Sequence, residues 1–413
     1  MDSELTSQQK KSAAAIIAAQ TCTRIGDVLT NPKTVLTWLL SQLGTSGFVI
    51  GMLVPIRESG SMLPQLFISS WVKRAGRRKW VFVGGAIAQA LCVATMGLAA
   101  LLLQATAAGI VILISVAAFS ISRAFCSISS KDVLGRAIPK GFRGRVSGVS
   151  STLSGLISAV AACVLILYRE HETASLLAWI VLGAAVLWIL GAGTYSLVFE
   201  PLPEKKAESK SVTADMRKRI ALVVNDPLFR RFIIARGFLL GSALASPLLV
   251  VLSQTKEGTL MSLVGFLIAA ALATSASSFL WGAMADKASH KAMAFGGLGC
   301  AFIGVIAICI ANWLPELSRQ FWLWPVIFFL FNLSYTGVRM GRKVWVVDAV
   351  DGDKRTDYVS ASNTLIALMI IAMGLIASPL QSVSPLIPLG VYSVLCFVGT
   401  IIALGLKPEK EAQ

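Results

Sequence analysis

The stretch SSWVKRAGRRK at residues 69–79 lies between two long apolar runs, and five of its last seven residues are basic. A counterpart, GAMADKASHK at residues 282–291, begins 213 positions later and also separates two apolar runs. Short basic loops of this kind connect membrane-spanning helices on the cytoplasmic side. Because such a loop occurs twice, about half a chain apart, the sequence predicts two similar halves.

A second pair of stretches indicates the same duplication. Residues 119–153 and 331–365 align without a gap at an offset of 212 positions, with eight identical pairs that include Lys131 with Lys343 and Arg143 with Arg355. Apolar composition alone does not align lysines and arginines. The pattern is typical of a membrane protein built from parallel repeats, as found among transporters.

The two basic loops resemble the loop signature of the major facilitator superfamily, approximately G-x-x-x-D-R/K-x-G-R-R/K. In that family the signature joins the second and third helices and recurs between the eighth and ninth. The first copy matches it at Arg74, Gly76 and Arg77, but has Ser69 and Lys73 in place of the first glycine and the acid.

The second copy matches the signature at Gly282, Asp286 and Lys287, with Ser289 in place of the second glycine. In the family the acid latches onto neighbouring helix ends. The resemblance therefore implies gating loops at both places, with the acidic latch kept only in the second. It also implies the family's fold, an all-α integral membrane protein with twelve transmembrane helices in two pseudo-symmetric six-helix bundles.

The composition agrees with a membrane protein. The chain has 413 residues, of which 55% are apolar and 14% are charged, and its mean hydropathy is +0.74. A soluble domain carries roughly 25% charged residues. The length suffices for twelve spans of roughly 20 residues with short connections. The net charge of +16 does not indicate nucleic-acid binding, because cytoplasmic basic loops produce the same total.

Apolar runs predict the spans and the loops predict their orientation. The spans are 13–31, 48–70, 80–103, 108–130, 146–168, 174–199, 231–253, 259–283, 293–312, 321–345, 358–380 and 385–406. One side of the predicted membrane holds 29 of the 37 lysines and arginines, and the other holds four, Lys33, Arg169, Lys256 and Arg319. This asymmetry predicts a multi-pass protein of the plasma (inner) membrane with both termini in the cytoplasm.

The long polar stretch at mid-chain predicts the domain boundary. It is rich in Lys, Glu and Ser, as linkers are. We predict an N-terminal six-helix bundle at 1–200, a cytoplasmic linker at 201–230 and a C-terminal six-helix bundle at 231–413. We expect the protein to be a monomer.

The sequence lacks the motifs of common active sites. All seven cysteines fall inside apolar runs without a C-x-x-C pair, which is typical of buried thiols. There are two histidines, and the chain contains no H-E-x-x-H, G-x-S-x-G or Walker A motif. We therefore expect no metal site, no cofactor and no enzymatic activity.

The first predicted span has a polar face. Gln20, Arg24, Asp27 and Asn31 follow the spacing i, i+4, i+7, i+11, which places them on one side of a helix. Ionisable groups inside a membrane cost free energy, so residues that carry them there are candidates for a functional role. Arg24 and Asp27 can pair with each other. The face either lines a watery cavity or forms a static bridge that locks two helices.

The second span carries Arg57 and Glu58 near its middle, and Glu58, Ser61 and Gln65 share a face. Adjacent helical residues point about 100° apart, so the two charges cannot serve one spot. Either one charge faces a cavity and the other a neighbouring helix, or the segment 54–61 lies near the outer surface and is solvated there.

The fourth span carries Arg123 on a face with Ser120, Ser127 and Lys131. Arg123 resembles the arginine of a second family motif, R-x-x-x-G, found in many proton-coupled members, with Ser127 near the expected small residue. The resemblance implies that this arginine tunes a nearby acid for proton transfer. Asp27 is the natural partner and Glu58 the next candidate. Alternatively, Arg123 extends to the cytoplasmic surface.

Polar residues in the second half complete the candidates. Arg236 lies one to two turns inside the seventh span, where it reaches either a cavity or the cytoplasmic headgroups. Asn332 and Tyr335 lie on one face of the tenth span with Arg339. The candidates for lining a substrate cavity are Gln20, Arg24, Arg57, Gln65, Arg236, Asn332 and Tyr335.

These features predict a secondary active transporter that moves a small organic solute across the lipid bilayer by alternating access, coupled to protons. Four intramembrane arginines against two acids favour an anionic or zwitterionic solute. Two alternatives remain, a drug or metabolite efflux antiporter and a non-transporting receptor or scaffold on the same fold.

Overall fold

A computed structural model describes residues 6–64, 68, 72, 76–139, 142–166, 174–201, 223–255, 260–349 and 354–406. Three predicted site residues, Gln65, Lys73 and Arg74, lie outside the described residues, as does most of the predicted linker.

Each predicted span coincides with one helix or with consecutive helices. Spans 1 to 6 are Ser7–Leu29 with Val35–Gln42, Gly47–Met62, Lys79–Leu102, Ala105–Ala137, Arg143–Ile166 and Ala174–Ser196. Spans 7 to 12 are Pro227–Phe238 with Gly241–Leu244 and Ser246–Thr255, Leu260–Lys287, Ser289–Trp313, Leu323–Ala349, Lys354–Val383 and Leu386–Leu404. A short helix, Pro315–Ser318, precedes span 10, and the described residues contain no strand.

The apolar character of these helices fits a bilayer. By length and composition, seven of the described helices can cross a membrane, or eight if the bent pair Met261–Ser277 and Leu280–Lys287 forms one span. The remaining spans are shorter in their described part, or contain a break or several polar residues. Those irregular spans contribute most of the functional residues considered below.

The first span of each half begins at a defined cap. The Thr6 hydroxyl accepts a hydrogen bond from the Gln9 amide, while the Gln9 side chain accepts one from the Thr6 amide. At span 7 the Asp226 carboxylate accepts from the Phe229 amide at 2.9 Å, and Pro227 occupies the first helical turn. These caps satisfy backbone donors that would otherwise lack partners at the helix start.

The two halves use the same packing. Span 1 packs on span 6 and span 3 on spans 4 and 6, and in the second half span 7 packs on span 12 and span 9 on spans 10 and 12. Glycines permit the close approach: a Cβ on Gly97 would lie 2.7 Å from Leu182, and one on Gly304 would lie 2.1 Å from Ser393. The repeated packing agrees with the pseudo-symmetric bundles predicted from the duplicated sequence.

Among the described residues, the hydrophobic cores of the two halves join at one end of the molecule. We name the end with the outer termini of spans 1 and 12 the terminal end, and the opposite end the distal end. One cluster of buried residues at the distal end includes Leu39, Leu53, Leu249 and Phe328, from both halves. At the terminal end the halves keep separate clusters, one around Ile16 and Tyr195 and the other around residues 229–232 and 345. The cleft between the halves is therefore closed distally and open at the terminal end.

Contacts across the two halves explain the distal closure. Span 2 packs against span 11 so closely that a Cβ on Gly374 would lie 2.6 Å from Pro55. The amide of Gln254 donates to the carbonyl of Trp38 at 3.1 Å, and the Trp38 ring lies 6.4 Å from that of Phe266. Buried aromatic and aliphatic side chains therefore form the seal.

The first span is longer than predicted. Its helix ends at Leu29, and a second helix runs over Val35–Gln42, so that a break at 30–34 lies between two helical segments of one span. Lys33, which the sequence assigns to the loop after the first span, is the basic residue of this break. The residue lies at this break and lines the cavity between the halves.

Candidate functional site

A cavity of about 440 Å³ lies between the two halves. Spans 1, 2 and 4 line it from one half, and spans 8 and 10 line it from the other. Its charged and aromatic lining residues are Asp27, Lys33, Arg57, Glu58, Arg123, Phe328, Tyr335 and Arg339. The volume is within the range of small-molecule sites, roughly 300–1,000 Å³.

Non-helical backbone at the break in span 1 forms part of the cavity wall. The Asn31 side-chain oxygen accepts a hydrogen bond from the Lys33 amide at 2.8 Å, and the Thr37 hydroxyl donates to the Pro32 carbonyl at 2.6 Å. These bonds satisfy polar groups that the interrupted helix leaves unpaired. Irregular backbone at membrane depth is stable only where it is buried in protein or lines a cavity.

Asp27 is the acid at the centre of an arginine pair. Its Oδ1 accepts a hydrogen bond from Nη1 of Arg123 and lies 3.5 Å from Nη2 of Arg57. The guanidinium of Arg57 also stacks over the Phe119 ring, 4.6 Å from its centroid. One carboxylate oxygen thus joins spans 1, 2 and 4. The predicted pairing of Asp27 with Arg123 is present in this structure, with Arg57 as a second partner.

Arg24 has a different partner from the one predicted. Its Nη1 donates to the Ser151 hydroxyl and lies 3.3 Å from the Ser147 carbonyl on span 5. On the same face, the Gln20 side-chain oxygen accepts a hydrogen bond from Ser150 at 3.0 Å. An ion pair between Arg24 and Asp27 is not formed, because Asp27 points to spans 2 and 4.

A smaller cavity of about 200 Å³ lies toward the terminal end and is lined by Gln20, Arg24, Asp27 and Arg123, among others. It shares Asp27 and Arg123 with the larger cavity. The Asp27–Arg123 pair therefore lies where the two cavities meet. Its position is that of a constriction between the larger cavity and the open end of the cleft.

Glu58 faces the cavity with a different set of cations from Asp27. Its Oε1 lies 3.9 Å from the Lys33 ammonium, which in turn lies 4.5 Å from the centre of the Tyr335 ring. The charges of Arg57, Arg342 and Arg339 also act on the Glu58 carboxylate. Arg57 and Glu58 have different closest ionic partners, Asp27 and Lys33. Both nevertheless line the same cavity, so the expectation that one of them faces a neighbouring helix instead is not met.

Arg236 lies outside both cavities described above. It is 7% exposed, and it donates to the Ser362 hydroxyl and, at 3.1 Å, to the Asn363 side-chain oxygen on span 11. Its Nε is buried without a hydrogen-bond partner. Neither predicted location for Arg236, the cavity or the headgroups, describes this environment.

Asn332 and Tyr335 line the larger cavity from span 10. The Asn332 amide donates to the Phe328 carbonyl of the preceding turn at 2.9 Å, which leaves its oxygen available toward the cavity. Both residues lie on the face that helical periodicity assigns to them.

The predicted gating residues lie at the terminal end. Gly76 and Arg77 immediately precede span 3 and are exposed, while Gly282, Asp286 and Lys287 belong to the last turns of span 8. Each copy of the signature thus directly precedes the third span of its half. The acidic latch missing from the first copy has a counterpart that the sequence pattern did not reveal.

Glu200 supplies that counterpart. Its side chain is fully buried, accepts a hydrogen bond from the Lys79 amide at 2.8 Å, and pairs with Arg136 at 3.2 Å. Asp132 pairs with Arg78 at 2.5 Å. A carboxylate at a helix start is stabilised by the exposed amides and by the helix dipole. These contacts tie the ends of spans 3, 4 and 6 together.

Sequence reasoning missed Lys33, Arg339 and Glu200 as functional residues. A signal existed for Lys33, because the eight-residue helix Val35–Gln42 is too short to cross a membrane alone and must continue the preceding span. For Glu200 no local pattern exists, since its partners are 64 and 121 positions away.

Two six-helix bundles around a charged central cavity define a helical membrane transport protein. Residues 16–374 match the family model "Major Facilitator Superfamily". The chain belongs to the major facilitator superfamily, and it is a transporter of small molecules rather than an enzyme.

Solved structures share this fold. A bacterial homologue of the human lysosomal transporter Spinster, inward-facing and unoccupied, is 15% identical, with a TM-score of 0.67 over 98% of this chain and 99% of that chain. The nucleoside transporter NupG is 10% identical, with a TM-score of 0.72 over 95% and 99% of the two chains. A POT family transporter bound to a thioalcohol-conjugated peptide is 12% identical, with a TM-score of 0.63 over 96% of each chain. A comparison with curated protein sequences finds no significant match.

Proposed function

We propose that this protein is a secondary active transporter that moves a small anionic or zwitterionic organic solute by alternating access, coupled to protons. The observation that carries the proposal is the charge of the central cavity. Four cations, Lys33, Arg57, Arg123 and Arg339, face two carboxylates. A cavity with excess positive charge attracts anionic groups and disfavours organic cations.

Alternating access requires two bodies that rock about the cavity. The repeated packing and the separate terminal cores support residues 1–200 and 231–413 as those bodies. The shared distal core must separate, and the terminal cores must approach, when the cavity changes sides. Rigid-body rocking of this kind is the usual motion in transporters built from repeats.

Proton coupling is assigned to Asp27. It is held by Arg123 and Arg57 at the junction of the two cavities. A change of the Arg123 side-chain conformation that breaks its contact with Asp27 would leave the carboxylate with less counter-charge, a state in which a carboxyl group binds a proton more readily. Glu58 is the second candidate, since its contact with Lys33 is long.

We propose that the protein is a monomer in the plasma (inner) membrane. Both of its termini then lie in the cytoplasm. The open terminal end then faces the cytoplasm. Cysteines introduced singly at Gln104 and at Gly76 test this, because the two sites lie at opposite ends of span 3. An impermeant thiol reagent added outside should label Gln104→Cys only, and labelling of Gly76→Cys would reverse the orientation.

Transport itself is tested in proteoliposomes with an imposed pH gradient. Accumulation of an organic anion or zwitterion by the parent protein, lost when the gradient is collapsed, supports the proposal. Asp27→Asn should lose gradient-driven accumulation yet still exchange substrate down its own gradient. If Asp27→Asn keeps the gradient dependence of the parent, Asp27 is structural and Glu58→Gln is tested next. If no solute of either class moves, the transport proposal fails.

A further inference from the structure

Lys33 is a cation of the cavity with long contacts to its partners. Its side chain is 15% exposed, and its ammonium has only the Glu58 carboxylate at 3.9 Å and the Tyr335 ring at 4.5 Å. Among the described residues no acceptor lies within hydrogen-bond distance of Nζ. An ammonium has three donors, so this group can accept another anionic partner without losing a strong bond.

Arg339 faces the same part of the cavity from the other half. It lines the cavity, and no carboxylate among the described residues lies within ion-pairing distance of its guanidinium. A guanidinium binds carboxylate and phosphate oxygens through two parallel donors. Lys33 and Arg339 thus present donors to the same cavity from opposite halves of the protein, and Glu58 lines that cavity with them.

The distribution of charge in the cavity sets the charge of a fitting ligand. Asp27 is already bound by Arg123 and Arg57, so Glu58 is the remaining carboxylate of the lining, and the charges of Lys33, Arg342 and Arg339 all act on it. Four cations against two carboxylates leave an excess of two positive charges. Charges removed from water need partners, so a ligand with two negative charges matches this cavity better than one with a single charge.

We propose that Lys33 and Arg339 bind the anionic group of the substrate, and that this group is doubly charged, as a phosphate monoester or a dicarboxylate is. The inference rests on the proposed function and specifies its substrate class. The ammonium of Lys33 leaves Glu58 for the ligand oxygens, and Arg339 binds the same group from the second half. The bound dianion therefore links the two halves and favours the closed cavity.

The first test measures ligand charge preference. The purified full-length protein is titrated with glycerol 3-phosphate, hexyl phosphate, succinate, lactate and glycerol at constant ionic strength and pH 7.5, and thermal stabilisation is recorded. Dianions should bind with an apparent affinity about tenfold or more above that of lactate, and glycerol should not bind. Preference for hexyl phosphate over glycerol 3-phosphate would indicate a lipid-borne phosphate, and the reverse a soluble one.

Variants separate binding from structure. Lys33→Gln and Arg339→Gln should each abolish the preference for dianions over lactate, whereas Lys33→Arg should retain it. Glu58→Gln should tighten dianion binding, because it removes the anion that competes for Lys33. If the Lys33–Glu58 contact is only structural, Lys33→Gln and Glu58→Gln should instead change the affinity for dianions in the same direction. Arg319→Gln is the matched control, because it also removes one positive charge but from an exposed arginine outside the cavity.

The inference is overturned if lactate binds the parent protein as tightly as the dianions, or if Lys33→Gln leaves the preference unchanged. If the parent protein accumulates a monoanion or zwitterion under either result, the proposed function stands and only the substrate class is wrong. If proteoliposomes accumulate no solute, the proposed function fails separately.

Discussion

Arg24 and Arg236 occupy equivalent positions in the two halves and make equivalent contacts. They lie 212 positions apart, the offset of the internal repeat, and their partners on the fifth span of each half, Ser151 and Asn363, lie at the same offset. Each arginine therefore joins the first and fifth spans of its half. The environments differ, because Arg24 borders a cavity and Arg236 is buried.

Arg236 should be replaced at a lower cost in stability by an apolar side chain of similar length than by a small one. In Arg236→Ala the buried Ser362 and half-buried Asn363 side chains lose their partner and a void forms, which should lower the free energy of unfolding by about 1–3 kcal/mol. Arg236→Met loses the same hydrogen bonds but fills the volume and removes a desolvated charge, so it should destabilise the protein less than Arg236→Ala does. Equal destabilisation by both variants would show that the charge itself holds span 7 to span 11. Arg24→Ala, at the cavity-bordering equivalent, is the control.

Glu200 should be more important for stability than any surface acid. Glu200→Gln removes a fully buried carboxylate and leaves the half-buried Arg136 without its counter-charge, and we expect a loss of about 3 kcal/mol in the free energy of unfolding. Glu316→Gln removes an acid that is 89% exposed and paired with Arg319 at 3.8 Å, so its effect should be close to zero. Chemical denaturation in detergent measures both. Similar losses for the two variants would contradict a role for Glu200 as the latch of the first half.

Arg57 and Arg123 should be partly interchangeable as partners of Asp27. Both contact Oδ1, so removal of either one leaves the carboxylate with one cation. The double variant Arg57→Gln with Arg123→Gln should therefore affect proton-driven transport by more than the sum of the single variants, expressed as free energies. Uptake at several imposed pH gradients provides the measurement. Additive effects would mean that the two arginines act on separate steps.

Gly374 should control the distal seal. An added Cβ would lie 2.6 Å from Pro55 of the other half, so Gly374→Ala must push spans 2 and 11 apart. A single cysteine at Thr34 should then react faster with a reagent added at the distal end. Gly84→Ala has open space around the added methyl group, so it should leave labelling unchanged. An unchanged rate in Gly374→Ala would indicate that the seal does not depend on this contact.

The repeat and the twelve spans follow from sequence because they depend on periodicity and composition. The Asp27–Arg123 pairing was expected from the resemblance of Arg123 to a family motif. Helical spacing placed Asn332 and Tyr335 on one face, and that face lines the cavity. Lys33 was not among the predicted cavity residues because Asn31-Pro32 has the composition of a loop. The short apolar helix that follows, Val35–Gln42, packs into the core shared by the two halves.

The sequence did not predict which neighbouring span each polar side chain contacts. Arg24 and Asp27 share a helix face, yet one contacts span 5 and the other spans 2 and 4. Which neighbour a side chain reaches depends on how the helices cross, and that is set by packing at many positions rather than by the residue itself. The contacts of Glu200 are of the same kind.

The position of Glu58 beside Lys33 bears on the return of the empty carrier. A carboxylate tethered to the protein acts at a high effective concentration and can occupy the ammonium whenever the solute has left. The unloaded protein then carries less uncompensated charge through its transition, so that net flux rather than obligatory one-for-one exchange becomes possible. Glu58→Gln removes the carboxylate that takes the place of the solute, so it should slow the return of the unloaded protein. The variant should then act mainly as an exchanger, and uptake should require solute on the opposite side of the membrane.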